Sequence, residues 1–155
     1  MPFTENILTA SLIDTNVLVY ANNEDSPFHV PCKDLISKAV NGSIPCAIAL
    51  QNLVELYAVI TDKRRVEHAL SPSKAKELIE FYKNQENIQI ILPTTETLST
   101  LGDLITKHTP KAQSIFDFML VATMKDNSIS EIYTLNVDHF SPFDSINAIN
   151  PVANL

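Results

Sequence analysis

Glycine is almost missing from this chain. Only Gly42 and Gly102 occur in 155 residues, which rules out the glycine-rich loops that cradle phosphates. Cysteine is as scarce, and Cys32 and Cys46 form no metal-ligand or redox spacing; two such residues suit a reducing cytoplasm. No apolar run approaches the roughly 20 residues that span a bilayer. The opening MPFTENILTA has no basic region and no apolar signal core, so neither secretion nor a membrane location is expected. Repeats, low-complexity tracts and Gly/Ser linkers are missing as well. Basic residues are in deficit, 11 Lys and Arg against 18 Asp and Glu, for a formal net charge of -7. That argues against a general nucleic-acid coat, which is usually basic. It does not exclude an enzyme acting on nucleic acid, because carboxylates gathered for a metal make the bare site negative.

What is present describes an ordinary folded protein, 45% hydrophobic and 19% charged. The length fits one domain over residues 1–155, large enough for a core without disulfide or metal staples. Strand-like apolar runs stand at 11–14, 44–49, 88–92, 131–135 and 146–149. Helix-like segments lie between them at 16–23, 29–40, 50–64, 71–84, 94–108 and 114–127. The fourth of these opens with Ser71 as cap and Pro72 at the first helical position. Short strands alternating with longer helices predict an α/β fold, three layers deep, with a central parallel sheet of about five strands. Ligands of such folds bind outside the carboxyl ends of the strands.

Asp14 sits at such an end, closing the apolar run SLID. Two further acids share its apolar company: Glu55 in LVELYAVI and Asp117 in IFDFMLVATM. Helices apolar all round are normally buried, which would place both carboxylates at or under the surface of the core. A buried carboxylate wants a cation, a metal or several donors. One helical turn from Glu55 stand Gln51, Asn52, Ala58 and Val59, and one turn from Asp117 stand Gln113, Ser114, Leu120 and Val121; none is basic. A helix cap or a distant base accounts for any one of these acids, but less well for three together. The three lie 41 and 62 residues apart, too far for local pairing and compatible with successive α/β units. An all-oxygen set suits a hard cation such as Mg²⁺. His29, His68, His108 and His139 show no zinc-ligand spacing. Thr134 and Asn136, at the end of the fourth strand, would emerge at the edge that carries Asp14, either to bond a carboxylate or simply to form a turn.

The segments LIDTNVLVYA, NLVELYAVIT, FDFMLVATM and IYTLNVDHF, in this order, resemble the signature segments of PIN-domain nucleases, most closely the VapC-type toxins of bacterial and archaeal toxin–antitoxin systems. INAINP also resembles the family's last strand. The resemblance covers nearly the whole chain and implies a five-strand parallel sheet, dependence on Mg²⁺ or Mn²⁺, and cleavage of single-stranded RNA. It also implies a homodimer and a small antitoxin partner. By position it assigns the catalytic, metal-holding acids to Asp14, Glu55 and Asp117. The fourth position, Asp in many members and Asn in others, falls on Asn136, with Asp138 nearby but out of register as a substitute, and His139 stands where an Asp often precedes the Phe. Thr15, Asn16 and Thr134 are then supporting residues that orient the carboxylates. Lys63, Arg64 and Arg65 either contact RNA phosphates or, the stronger reading, complement the dipole at a helix C-terminus.

Two rivals remain. Aspartate-nucleophile phosphatases want a second acid two residues after the first, where this chain has Asn16. A PIN-like module that binds RNA or protein without cutting is kept open by Asn136, since fold does not determine function.

Overall fold

The computed structural model describes residues 9–153. Residues 1–8, on which the expectation about secretion rests, and 154–155 lie outside the described residues. Five short strands, β1 (Ser11–Ile13), β2 (Cys46–Ala49), β3 (Ile88–Ile91), β4 (Glu131–Tyr133) and β5 (Asn147–Ile149), pair in parallel in the order β3-β2-β1-β4-β5. The expected α/β architecture with a five-strand parallel sheet is the one that forms.

Alternation along the strands divides the interior in two, because successive strand side chains point to opposite faces. Ile13, Cys46 and Ile48 join one core with Val17, Leu18, Cys32, Leu56 and Tyr82. Leu12, Ala47 and Ala49 join the other with Leu104, Phe118, Val121 and Met124. Helices α1 (Thr15–Ala21), α2 (His29–Val40), α3 (Leu50–Ile60) and α4 (Pro72–Lys83) therefore cover one face, and α5 (Thr97–His108) and α6 (Ile115–Asp126) cover the other. The chain runs outward from β1 through β2 to β3, then returns across the second face to β4 beside β1. That reversal follows from right-handed crossovers, which put connections of opposite travel on opposite faces. Among the described residues, no helix is long and apolar enough to cross a membrane.

Several expected boundaries shift, each for a local reason. The first strand stops at Ile13 rather than residue 14, because Asp14 is the N-cap of α1: its extended backbone (φ -71, ψ 156) lets Oδ1 accept from Thr15 N at 2.7 Å. Helix α3 stops at Ile60 rather than residue 64. There the Asp62 carboxylate accepts the Arg64 backbone N–H at 2.9 Å, a local turn that competes with helix. Ser71 caps α4 as expected, its hydroxyl accepting from Lys74 N at 3.3 Å. The expectation that the apolar helices are buried all round is corrected. Each lies against one sheet face only, so Val54 on α3 remains 61% exposed and Phe116 on α6 56% exposed. Glu55 and Asp117 accordingly sit half-buried at a helix edge, not beneath the core.

Candidate metal centre

The order β3-β2-β1-β4-β5 makes the gap between the ends of β1 and β4 the point where the topology reverses, the place where open α/β sheets bind ligands. Asp14 stands on one side of it and Thr134 on the other. The backbone N–H of Asp14 donates to Tyr133 O at 3.0 Å, which extends the strand pairing up to the acid itself. Thr134 is fully buried, and its hydroxyl donates to Asp14 Oδ2 at 2.8 Å. The Thr134 hydroxyl oxygen in turn accepts from Asn16 Nδ2 at 3.2 Å and from the Asn136 backbone N–H at 3.0 Å. Asn16 in turn accepts the Leu135 N–H at 3.2 Å. Asp14 is thus gripped from its own helix start and from the segment after β4, a pairing of residues some 120 positions apart.

Glu55 reaches the same edge from α3, which begins immediately after β2. Its Oε2 accepts from the Thr15 hydroxyl at 2.9 Å, and its Oε1 accepts from Gln51 Nε2 at 2.8 Å. Two residues that the sequence reading passed over as mere non-cations complete this arrangement. Fully buried Asn52 donates to Thr15 Oγ1 at 3.2 Å and accepts the Ala49 N–H at 3.1 Å, tying β2, α3 and α1 together. Gln51 also donates to the Phe116 carbonyl at 2.9 Å, linking α3 to α6 one residue before Asp117. Their signal was a pair of amides at the start of an otherwise apolar helix.

Asp117 lies in the first turn of α6, where the helix dipole favours an anion. Its Oδ2 is 3.2 Å from His139 Nδ1, with the two side chains 34% and 56% exposed. Asp14, Glu55 and Asp117, with Asn16, Asn136, Asp138 and His139, line one open cavity of about 830 Å³. Thr15 and Arg65 line it too. The Asn136 side chain is exposed, and Asp138 faces the same cavity from the short 3₁₀ turn Val137–Phe140.

The cavity is electrostatically strained. Burial pushes the Asp14 carboxyl up to about 6 from the ordinary 3.8; the bonds from Thr134 and Thr15 oppose this, and the Glu55 and Asp117 charges add to it. Burial also raises Asp117, which His139 opposes and Glu55 reinforces. An ionised carboxylate in such a place gains most from a cation. Arg65 and His139 are the only residues among those lining the cavity that can carry positive charge.

The basic run does not act as one unit. Arg64 is folded back on Asp62, with Nε to Oδ1 at 3.0 Å and Nη2 to Oδ2 at 2.9 Å, and this pair holds the Asp62 carboxyl down at about 2. Lys63 does not reach the cavity, and Arg65 does. All three follow the end of α3 in a turn, so the expected place at a helix C-terminus is not where they lie. His68, which has no ligand spacing in sequence, meets Asp25 and Glu67 in space. Theirs is the one trio of His, Cys, Asp or Glu among the described residues whose ligand atoms all come within 4.8 Å of one another. Asp14, Glu55 and Asp117 stand wider apart, as mutual repulsion favours.

A family model described as PIN domain matches residues 11–144. The chain is similar to Ribonuclease VapC24 of Mycobacterium tuberculosis, 23% identical over 142 residues, covering 92% of this chain and 97% of that one. Among solved structures it is similar to VapC20 of Mycobacterium tuberculosis, a sarcin–ricin-loop-cleaving toxin, with a TM-score of 0.65 at 16% identity over 86% of this chain and 95% of that one. It is likewise similar to VapBC2 of Rickettsia felis bound to a promoter DNA fragment, with a TM-score of 0.64 at 16% identity over 91% and 98% of the two chains. The structural likenesses speak for the fold. The matched span runs from the first residue of β1 to beyond His139 and takes in every acid of the cavity, and on that ground the chain belongs to the PIN-domain family.

Proposed function

We propose that this protein is an endoribonuclease of the VapC toxin type, dependent on Mg²⁺ or Mn²⁺, that cuts single-stranded RNA with Asp14, Glu55 and Asp117 as its catalytic acids. The observation that carries this reading is the meeting of three carboxylates, from the end of β1 and from two helices, in one open cavity at the reversal point of the sheet.

The donors fit such an ion. They are hard carboxylate oxygens around a cavity with room for water and substrate, and the Asp14 carboxyl, pushed up to about 6, lacks a compensating charge. Asp14, Glu55 and Asp117 would hold the metal, with the Asn136 side-chain amide oxygen or Asp138 as a further oxygen donor. When bound, a divalent ion supplies a lowered water pKa for in-line attack on a phosphodiester and offsets charge on the phosphoryl oxygens.

The remaining work falls to the chain. Thr134 and the Thr15 amide fix the rotamer of Asp14, leaving its carboxylate turned toward the cavity. Thr15 and Gln51 hold one oxygen each of Glu55. Asn16 fastens the segment after β4 to α1 and so keeps the Asp14–Thr134 distance short. Arg65 lines the cavity wall, which supports a role for it in meeting an RNA phosphate for backbone positioning. A solved structure of similar fold is a toxin–antitoxin complex from Klebsiella pneumoniae, which supports a small antitoxin as partner. Exposed Leu50 and Val54, one turn apart on α3, offer apolar surface for the homodimer that the family resemblance implies. A cytoplasmic setting accords with both.

The test is cleavage of a mixed cellular RNA pool by purified protein free of antitoxin, with Mg²⁺ or Mn²⁺, with EDTA, and with Asp14→Asn. Loss of cleavage in EDTA and in the variant supports the reading. A folded wild-type protein that cuts nothing with either metal overturns it and leaves the non-cutting RNA-binding module.

A further inference from the structure

Asp117 and His139 face each other on the cavity wall. His139 stands in the 3₁₀ turn Val137–Phe140, whose position is set by Phe140, buried in the second core, and by the His139 N–H donating to Asn136 O at 3.0 Å. The imidazole is thereby presented to the cavity wall from the element after β4, while Asp117 arrives from α6. Their facing atoms, Nδ1 and Oδ2, are 3.2 Å apart. Neighbouring ligands of an octahedral ion bound at about 2.1 Å stand roughly 3.0 Å apart, so this is also the spacing of two donors to one ion. Both side chains border the cavity that Asp14 and Glu55 also line.

We propose that His139 is a ligand of this same centre, adding one imidazole nitrogen to the carboxylates and shifting its preference from Mg²⁺ toward first-row transition ions; this rests on the reading of the cavity as a metal site. Imidazole is a poor ligand for Mg²⁺ and a good one for later first-row ions, whereas carboxylate serves both. A centre of three acids and one histidine therefore discriminates where a centre of four acids does not. A histidine at residue 139 thus changes the metal selectivity of the three-acid centre.

The experiment is calorimetric titration of Co²⁺ and of Mg²⁺ into the full chain, followed by the visible spectrum of the Co²⁺ form. All proteins carry His68→Ala, so that the Asp25, Glu67 and His68 trio does not contribute. Removing a ligand weakens binding at least as much as removing its outer support, on the order of ten- to a hundredfold. His139→Ala should lower Co²⁺ affinity by about that factor with little change for Mg²⁺, and should alter the Co²⁺ absorption bands. His139→Asp should restore binding while moving the Co²⁺/Mg²⁺ ratio toward Mg²⁺. Residue 139 is exposed, so both variants retain the fold, which circular dichroism checks. An unchanged Co²⁺/Mg²⁺ ratio and unchanged bands in both variants overturn the ligand assignment while the carboxylate centre stands. Equal binding by wild type and Asp14→Asn, or none by wild type, overturns the metal-site reading and the proposal with it.

Discussion

Replacing Asp14 by Asn should make this protein more stable at neutral pH. The Asp14 carboxyl is pushed from 3.8 to about 6, chiefly by burial, so the folded state holds its proton more tightly than the unfolded chain does. Below pH 4 both states are protonated and the group is neutral in its effect. Between about 4 and 6 the unfolded state releases its proton first, so stability falls as pH rises through this window. Above pH 6 the full penalty applies. A shift of this size corresponds to ~3 kcal/mol. Asparagine carries no charge to desolvate but keeps only one acceptor, so one of the bonds from Thr134 and Thr15 is weakened at a cost of about 1–2 kcal/mol. The net expectation is a gain of roughly 1–2 kcal/mol at pH 8, or about 2–8 °C in Tm for a domain of this size. Urea unfolding of wild type and Asp14→Asn in EDTA, from pH 4 to pH 8, reads the difference directly. The gap should open between pH 4 and 6, and adding Mg²⁺ or Mn²⁺ should narrow it by stabilising the wild type alone. A variant less stable than wild type at pH 8, or a gap independent of pH, would refute the claim that this carboxylate is held against its own solvation.

Two other substitutions separate site from scaffold. Arg65→Ala should weaken RNA binding and reduce its salt dependence by about one phosphate contact, whereas Arg64→Ala, whose guanidinium is already engaged by Asp62, should do so less; filter binding across a salt series distinguishes them. Ser71→Ala removes the cap of α4 and should cost about 1 kcal/mol in urea unfolding while leaving RNA cleavage at the wild-type rate.

How much of the site was legible in the sequence differs residue by residue. The acids were conspicuous because an ionisable group in an apolar run is costly, and the cost shows without any coordinates: Asp14 after SLI, Glu55 in LVELYAVI, Asp117 in IFDFMLVATM. Gln51 and Asn52 were not conspicuous, because an amide near a helix start has several ordinary uses and only its partners decide among them. Those partners, Ala49, Thr15 and Phe116, come from three other elements. The basic run was read at a helix end that does not exist, because the competing turn is made by one carboxylate, Asp62, accepting one backbone N–H. Helix α3 looked buried all round because its composition is apolar on every side, yet composition does not reveal how many faces have neighbours.

The strands, the six helices, their alternation and hence the parallel α/β class were determined by the sequence alone. Period and punctuation are local properties, and right-handed crossovers leave few topologies open. The tertiary structure decided what those elements bring together. It set Thr134 against Asp14 across about 120 residues, His139 against Asp117, and His68 beside Asp25. Hydrogen bonds and ligand spacings depend on distances of a few ångströms between chain segments, and no periodicity along one segment encodes the position of another. The carboxylates could be named from their cost in isolation. What each one answers to became visible only where the ends of β1 and β4 meet.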